Sequence, residues 1–367
     1  MENIVLYRKY RPQNFSDIIG QEHVVQTLTN AIRAKSVSHA YLFAGPRGSG
    51  KTTIARIFAK AINCEDIKGM EPCNKCGSCL EINGGNSLDL AEIDAASHTG
   101  VDEVRTLIEG LRFAPVKSKC KIFIIDECHQ LSKSAANALL KTLEEPPAHA
   151  IFILATTEAH KMIPTIVSRC QRFDFRRLQS SEVIKKLEFI LKKEQIKCEP
   201  AALHLIAFSA RGSFRDAESL LDKCISFTAQ DKLVTLEEVK DLLGIVEVIE
   251  VSRLLDFLMA RNAKEAIRHV NSLAEQGTDL QEFAKTLVFY VRQAMLLKVS
   301  SDLVHKDSSG FSAEEMEQLR KQVETLAGKE IQNMLELFIE AENKMKYATI
   351  PQLPLELAIV EITYKEV

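Results

Sequence analysis

Three groups of residues carry chemistry that their types and spacing make explicit. The first is Gly45-Pro46-Arg47-Gly48-Ser49-Gly50-Lys51-Thr52, a match to G-x-x-x-x-G-K-[ST]. Glycines let backbone N–H groups curl around phosphates, and a helix N-terminus favours the anion. Lys51 then reaches the terminal phosphates while the Thr52 hydroxyl ligates Mg²⁺. The second group is the acid pair Asp126-Glu127, which ends the apolar run Ile122-Phe123-Ile124-Ile125. At the C-terminal edge of a parallel strand, Asp126 is placed to hold the Mg²⁺ shell and Glu127 to orient and deprotonate an attacking water. The third group is Cys64, Cys73, Cys76 and Cys79, spaced C-x8-C-x2-C-x2-C. Four thiolates at these intervals can close a tetrahedral Zn²⁺ site, and four protein ligands leave no open position, so the role is structural. An iron–sulfur cluster is the rival reading, although the C-x3-C-P continuation is absent and the fourth cysteine lies upstream. The other five of the nine cysteines, Cys128 and Cys170 among them, read as small buried fillers.

Positioning the first two groups requires a parallel sheet. Short apolar runs at Ala40 to Ala44, Leu88 to Ile93, Cys120 to Ile125 and Ala150 to Ala155 are each bounded by polar or glycine-containing turns, the pattern of buried parallel strands. Between them lie helical periods such as Ile54, Ile57, Phe58, Ala61 and Ile62, which put one apolar stripe against the sheet. The phosphate loop follows the first of these strands and opens a helix near Lys51, the context its chemistry needs. This α/β domain spans 1–179. Helical spacing alone follows, in Val183, Ile184, Leu187, Ile190 and Leu191, then Leu203, Ile206 and Ala207, then Ala217, Leu220 and Leu221. A small helical domain therefore occupies 180–243. Longer helical patterns, such as Leu280, Phe283, Ala284, Leu287, Val288 and Val291, mark a third, all-helical domain over 244–367, with 300–312 as its most loop-like stretch.

Further polar residues stand where they can meet phosphate charge. Thr156 and Thr157 follow the run Ile151 to Ala155, which puts a hydroxyl at the end of another strand. Arg169, in Ser168-Arg169-Cys170, and Arg215, in Gly212-Ser213-Phe214-Arg215-Asp216, are two cations that can approach a nucleotide. The net charge of −3 excludes a generally basic DNA-coating protein, so nucleic-acid contact must come from a local patch. A hydrophobic fraction of 46% excludes a natively unfolded chain. No run reaches the 18 or so apolar residues of a membrane span, and Arg8, Lys9 and Arg11 stand where a signal peptide needs an apolar core. A cytoplasmic protein that does not contact membrane is the expectation.

Taken in order, Tyr10-Arg11-Pro12, Gly20-Gln21, the phosphate loop, the cysteine cluster, Asp126-Glu127, the stretch Asn137-Ala138-Leu139-Leu140-Lys141-Thr142-Leu143-Glu144-Glu145-Pro146-Pro147, Ser168-Arg169-Cys170 and Gly212 to Asp216 span the chain. This order resembles the gamma/tau subunit family of bacterial DNA polymerase III. The resemblance implies the ATP-hydrolysing motor of a sliding-clamp loader: an AAA+ sheet domain, a three-helix lid and a helical collar through which five subunits form an open ring. It implies ATP, Mg²⁺ and Zn²⁺ as cofactors, and this cysteine spacing is the one the family uses for zinc. The implied partners are delta-type and delta-prime-type subunits in a pentamer, the sliding clamp, primer–template DNA and the polymerase holoenzyme. By the same resemblance Thr157 is the first sensor, Arg215 the lid sensor, and Arg169 a finger acting on ATP bound to a neighbouring subunit. Tyr7 to Pro12, with Arg11 and Pro12 at its end, and Ile18 to Gly20 would border the adenine, where composition alone reads a basic, solvated N-terminus.

The family often carries basic residues just after its Ala-Ala-Ser turn, whereas this chain has Ala95-Ala96-Ser97-His98-Thr99-Gly100. Lys141 remains a phosphate partner on the matching helix, against the plainer reading of a solvent-facing lysine. The tau form has a long tail that engages polymerase and helicase, and the sequence is compatible with either a gamma-like or a shortened tau-like chain. No polymerase site is visible in the motifs. A ring-forming AAA+ translocase acting on branched DNA shares the phosphate loop, the paired acids and the finger, and is the alternative function. A non-hydrolysing scaffold subunit conflicts with the intact Lys51, Thr52, Asp126 and Glu127.

Overall fold

The computed structural model describes residues 4–97, 106–107, 109–111, 113–228, 233–243, 248–300 and 313–364. His98 to Gly100 and the loop-like stretch at 301–312 lie outside the described residues. The chain divides into two compact units, Met1–Ile196 with Ile206–Asp222, and Lys197–Leu205 with Lys223–Val367.

The first unit is built on five strands: β1 (Ala40–Ala44), β2 (Leu90–Asp94), β3 (Lys121–Asp126), β4 (Ala150–Thr156) and β5 (Gln171–Asp174). They form one sheet in the order β2-β3-β4-β1-β5, with every neighbouring pair parallel. Burial follows that order. Every residue of β1 and β4 is buried, as are the four central residues of β3, while the edge strands β2 and β5 are largely open. This is why the first, third and fourth strands read as continuous apolar runs, whereas the run Leu88 to Ile93, expected as a buried strand too, supplies the open edge β2 with none of its residues buried. β5 escaped the sequence because Gln-Arg-Phe-Asp turns only Phe173 inward, as suits an edge.

Both sheet faces are covered. On one, Phe43, Ile124 and Ile153 pack with Val24 and Leu28 of the helix Glu22–Arg33 and with Ile54, Ile57 and Phe58 of the helix Lys51–Asn63. On the other, Leu42, Phe123, Phe152 and Leu154 pack with Leu139 and Leu143 of the helix Lys133–Glu144. Alternate residues of each strand thus serve opposite cores, the arrangement of an α/β doubly covered sheet. Its consequence for chemistry is that the C-terminal ends of β1, β3 and β4 open side by side, with Ala44 in register with Thr156 and Asp94 with Asp126.

After Leu178 come the helices Ser180–Glu194, Pro200–Ser209, Phe214–Phe227 and Leu236–Leu243 and, against the expectation of helices alone, a short parallel pair of Lys197–Cys198 with Leu233–Val234, too brief to show as an apolar run. Among the described residues the regular elements of the C-terminal region are all helices, from Val248–Met259 through Ala263–Glu275, Leu280–Val299, Ala313–Thr325 and Gly328–Met345 to Leu353–Tyr364. Its apolar stripes converge on one core that includes Leu254, Phe283, Leu287, Phe338 and Ile359. One polar knot lies inside it. Gln322 accepts from the Tyr290 hydroxyl at 2.7 Å and donates to Ser252 Oγ at 2.9 Å and Asp256 Oδ1 at 2.6 Å, so the buried amide is fully used. Among the described residues no helix is long and apolar enough to cross a membrane.

Candidate nucleotide site and metal centre

The phosphate loop joins β1 to the helix Lys51–Asn63, and two of its glycines are required by close approach. A Cβ on Gly45 would come within 2.5 Å of the Phe175 carbonyl oxygen, and one on Gly48, whose φ is +74°, would overlap the Ser213 hydroxyl. The second contact has a partner in the backbone, where Phe214 N–H donates to Gly48 O at 3.2 Å. The turn Gly212 to Phe214 is therefore seated directly on the loop. Lys51 is buried, and its ammonium donates to Gly45 O at 2.8 Å and Pro46 O at 2.9 Å. Burial pulls its pKa down, and the carboxylates of Glu127 and Asp126 oppose that shift.

At the end of β3 the paired acids separate into different tasks. Asp126 Oδ2 accepts from the Thr52 hydroxyl at 2.6 Å, and its Oδ1 accepts from Glu127 N–H at 2.9 Å. A hydroxyl and a carboxylate held together are hard oxygen donors, a set that fits Mg²⁺. Glu127 has φ +47°, a left-handed conformation that a non-glycine residue adopts at a cost and that is concentrated at functional sites. The turn swings its carboxylate towards β4, where Oε2 accepts from Thr157 Oγ1 at 2.8 Å and Thr157 N–H at 3.2 Å. Behind it sits His129, whose side chain is buried. Its Nδ1 lies 3.0 Å from Thr156 Oγ1 and 3.5 Å from Glu127 Oε2, and its Nε2 lies 3.1 Å from Glu158 Oε2.

One cleft of about 640 Å³ collects these groups. Arg47 to Thr52, Asp126, Glu127, Thr157, Arg215, Arg11 and Pro12 all line it, with Ile18 and Ile19. Gly45 and Pro46 form the base of the loop beneath Lys51. Arg215 lies with its guanidinium carbon 5.1 Å above the ring of Tyr7, another wall residue. Arg169 is not among the cleft-lining residues. It pairs with Glu144 Oε1 at 2.6 Å and donates to Thr165 O at 2.8 Å. Lys141 is exposed on the helix Lys133–Glu144.

Several wall residues were not read from the sequence: Asp94, His129, Glu158, Lys186 and Glu218. His129, two residues past the acid pair, was the one with a local signal. Glu218 and Lys186 form a pair at 4.0 Å. Burial pushes Glu218 up to about 7 against the pull of Lys186 and Arg11, and burial pulls Lys186 down against the pull of Glu218. Desolvation thus outweighs attraction on both sides of the pair.

The four clustered cysteines do come together. Cys64 caps the end of the helix Lys51–Asn63, Cys76 precedes the helix Gly77–Gly84, and Cys79 lies within it. Their sulfurs all lie within 4.8 Å of one another. A tetrahedral ion with metal–sulfur bonds of about 2.3 Å sets its ligands about 3.8 Å apart, so four sulfurs gathered this closely are compatible with one shared ion; in a four-iron cluster each cysteine would hold a different iron. Cys73 Sγ accepts from Lys75 N–H at 3.4 Å and Cys76 N–H at 3.2 Å, and these donors pull its thiol down to about 6. At Cys73 this bed favours thiolate, the form that binds metal, whereas burial pushes the Cys64 and Cys79 thiols up. Burial also pushes up Cys128 and Cys170, Cys170 to about 12; Cys128 and Cys224 are the buried fillers expected, whereas Cys120, Cys170 and Cys198 are only partly buried.

Comparison with known proteins places the chain among replication proteins. Family models match in three consecutive blocks: DNA polymerase III, delta subunit, over 20–179; DNA polymerase III clamp loader subunit, ATPase lid domain, over 182–230; and DNA polymerase III subunits gamma and tau domain III, over 234–367. The chain is 43% identical to DNA polymerase III subunit tau of Bacillus subtilis, over 97% of this chain and 62% of that one. It is 35% identical to DNA polymerase III subunit gamma of Buchnera aphidicola, over 98% of both. It therefore spans less than two thirds of the Bacillus relative and nearly all of the Buchnera one. Among solved structures, the RuvB Holliday junction branch migration motor of Thermotoga maritima overlays with a TM-score of 0.48 at 18% identity, over 74% of this chain and 86% of that one. An overlay at that level carries no argument for the branched-DNA alternative.

Proposed function

The chain belongs to the DNA polymerase III gamma/tau family, and from that premise we propose that it is the ATP-hydrolysing motor subunit of a sliding-clamp loader, placing the clamp on primed DNA during replication. The observation that carries the proposal is the convergence in one cleft of the phosphate loop, the Thr52–Asp126 oxygen pair and Glu127. A scaffold subunit would have no use for a strained glutamate aimed into that cleft.

In the proposed reaction, backbone N–H groups of Arg47 to Thr52 and the Lys51 ammonium hold the phosphates of ATP. Thr52 and Asp126 would hold Mg²⁺, which would supply positive charge against the phosphates. Glu127 takes a proton from the attacking water as its oxygen bonds to the γ-phosphorus and the bond to the bridging oxygen breaks, releasing ADP and phosphate. Thr157, donor to Glu127, fixes that carboxylate and acts as the first sensor of the γ-phosphate. Arg215, over Tyr7, closes the cleft from the helix Phe214–Phe227 and acts as the lid sensor. Arg11 and Pro12 border the base. Arg169, outside its own cleft, acts as the finger for ATP on the next subunit of a ring. Zn²⁺ on Cys64, Cys73, Cys76 and Cys79 is structural.

The proposed domains are 1–179 for nucleotide binding, 180–243 for the lid and 244–367 for the oligomerising collar. Delta-type and delta-prime-type subunits complete a pentamer that works in the cytoplasm with the sliding clamp, primer–template DNA and the polymerase holoenzyme. The test is ATPase stimulation in the reconstituted assembly. A loader responds to clamp and primed DNA together; full stimulation by branched DNA alone, with strand movement, would replace this function with a translocase.

A further inference from the structure

The cysteine loop does more than close on a metal, because its polar residues hold a piece of the nucleotide cleft. Arg11 and Pro12 line the cleft, as do Asp17, Ile18 and Ile19, and the residues between them, Gln13 to Ser16, do not. Phe15 anchors this intervening segment in the sheet core and Asp17 accepts from the Gln13 and Asn14 N–H groups, and the cysteine loop supplies the remaining holds. Glu71, two residues before Cys73, accepts with both oxygens: Oε2 from Phe15 N–H at 2.7 Å and Oε1 from Ser16 N–H at 2.8 Å. Those two donors open the short helical turn Phe15–Asp17, which has no earlier turn to satisfy them. Asn74, next to Cys73, donates to Asn14 Oδ1 at 2.7 Å.

Lys60 ties the same parts together from below. It sits on the helix that begins at the phosphate loop, and it is 1% exposed. Its ammonium meets four oxygens: Gln13 O at 2.9 Å, Gln13 Oε1 at 2.7 Å, Asn74 Oδ1 at 2.8 Å and Asn83 Oδ1 at 2.9 Å. Among the described residues no carboxylate comes within ion-pair distance of it. A buried ammonium with only neutral acceptors is tolerable where every one is held in place. Asn74 lies between two metal-ligand cysteines, and Asn83 is on the helix that carries Cys79. The loop itself is polar and tightly wound, with Met70 and Asn74 both at positive φ, and it contributes little apolar surface to hold itself in shape.

We propose that the cysteine loop is a clamp on the base-side wall of the nucleotide cleft, with Lys60, Glu71 and Asn74 as positioning residues and metal occupancy as the condition for their order. The proposal rests on the reading that ATP occupies this cleft. Its physical content is a population: the wall presents Arg11, Pro12, Ile18 and Ile19 in the binding arrangement only while Gln13 to Ser16 are held, and apparent affinity falls in proportion to the fraction so held.

The test is calorimetric titration of the chain 1–367 with Mg·ATP and with inorganic tripolyphosphate, which has no base to meet the Arg11, Pro12, Ile18 and Ile19 wall. Glu71→Ala and Asn74→Ala should each weaken ATP binding, Glu71→Ala by at least about tenfold, the low end of what losing one of its two charge-assisted hydrogen bonds costs, and leave tripolyphosphate binding within about twofold. Elemental analysis should find the metal content of Glu71→Ala unchanged. Stripping the metal from the wild-type chain with a chelator should reproduce the ATP-specific loss, and stripping it from Glu71→Ala should add little, because the same connection is already cut. Lys60→Met is a second probe, read with a thermal melt. Undiminished ATP affinity in Glu71→Ala overturns the clamp, as does an equal loss for ATP and tripolyphosphate or a chelator effect that is independent of Glu71. A wild-type chain that binds no ATP at all would instead sink the nucleotide reading.

Discussion

Replacing Glu218 by Gln should change how stability depends on pH, and the structure gives both sign and size. Glu218 is 5% exposed, and its nearest cation, Lys186, is 4.0 Å away and donates instead to the Tyr10 carbonyl at 2.9 Å. Burial raises the carboxyl from its ordinary 4.5 to about 7. In the unfolded chain the group loses its proton near 4.5, so between 4.5 and 7 the native state binds more protons. The stability it contributes is therefore full below about 4.5, declines as pH rises through 7 and is flat beyond. At about 1.4 kcal/mol per pH decade, the gap bounds the loss at roughly 3 kcal/mol. Glutamine keeps the shape and does not titrate. Urea unfolding of wild type and Glu218→Gln at pH 5, 6, 7 and 8, followed by circular dichroism with m-values compared, isolates the group, since every other titration cancels in the difference. The variant should gain on the wild type steadily from pH 5 to 7 and then hold its lead. Lys186→Met combined with Glu218→Leu, which removes both buried charges, should be more stable than wild type at pH 8. A difference that does not move with pH, or one that grows towards acid, would refute the claim that desolvation governs this pair.

Glu127→Gln should bind ATP with unchanged affinity in calorimetry and lose turnover by about 10² to 10⁴; steady-state ATPase equal to wild type would remove Glu127 from the role of base. The purified chain should contain about one Zn²⁺, and Cys76→Ser should lower the melting temperature by several degrees as the loop loses its crosslink; a visible iron–sulfur absorption band in the purified protein contradicts this. Arg169→Ala should bind ATP normally as an isolated chain and lose stimulated hydrolysis in the assembled ring. In mixed rings a chain carrying it should keep its own turnover when the neighbour supplies an intact Arg169, and failure in every mixed arrangement would place its action within its own chain.

What the sequence disclosed follows from how locally each feature is encoded. The three fully flanked strands announced themselves as apolar runs, because a strand buried on both faces has no polar alternation to disguise it. The phosphate loop and the cysteines were legible because each packs its chemistry into a short stretch, and the turn at Glu127 because it ends such a strand. The remainder depends on convergence. Glu218 lies 32 residues beyond Lys186 in the chain, and neither carries a local sign that they share a wall. Arg169 could be numbered but not placed until Glu144 appeared beside it. Lys60 is the sharpest case. It falls between Ala59 and Ala61 on a helix whose apolar stripe includes Ile57 and Phe58, where a lysine reads as a charge reaching for solvent. Its burial becomes reasonable only when Gln13, Asn74 and Asn83, from three separate parts of the chain, supply four oxygens to one ammonium. A buried charge of that kind is a statement about the fold as a whole, and it is the residue at which the cysteine loop and the phosphate-loop helix meet Gln13, next to the wall residues Arg11 and Pro12.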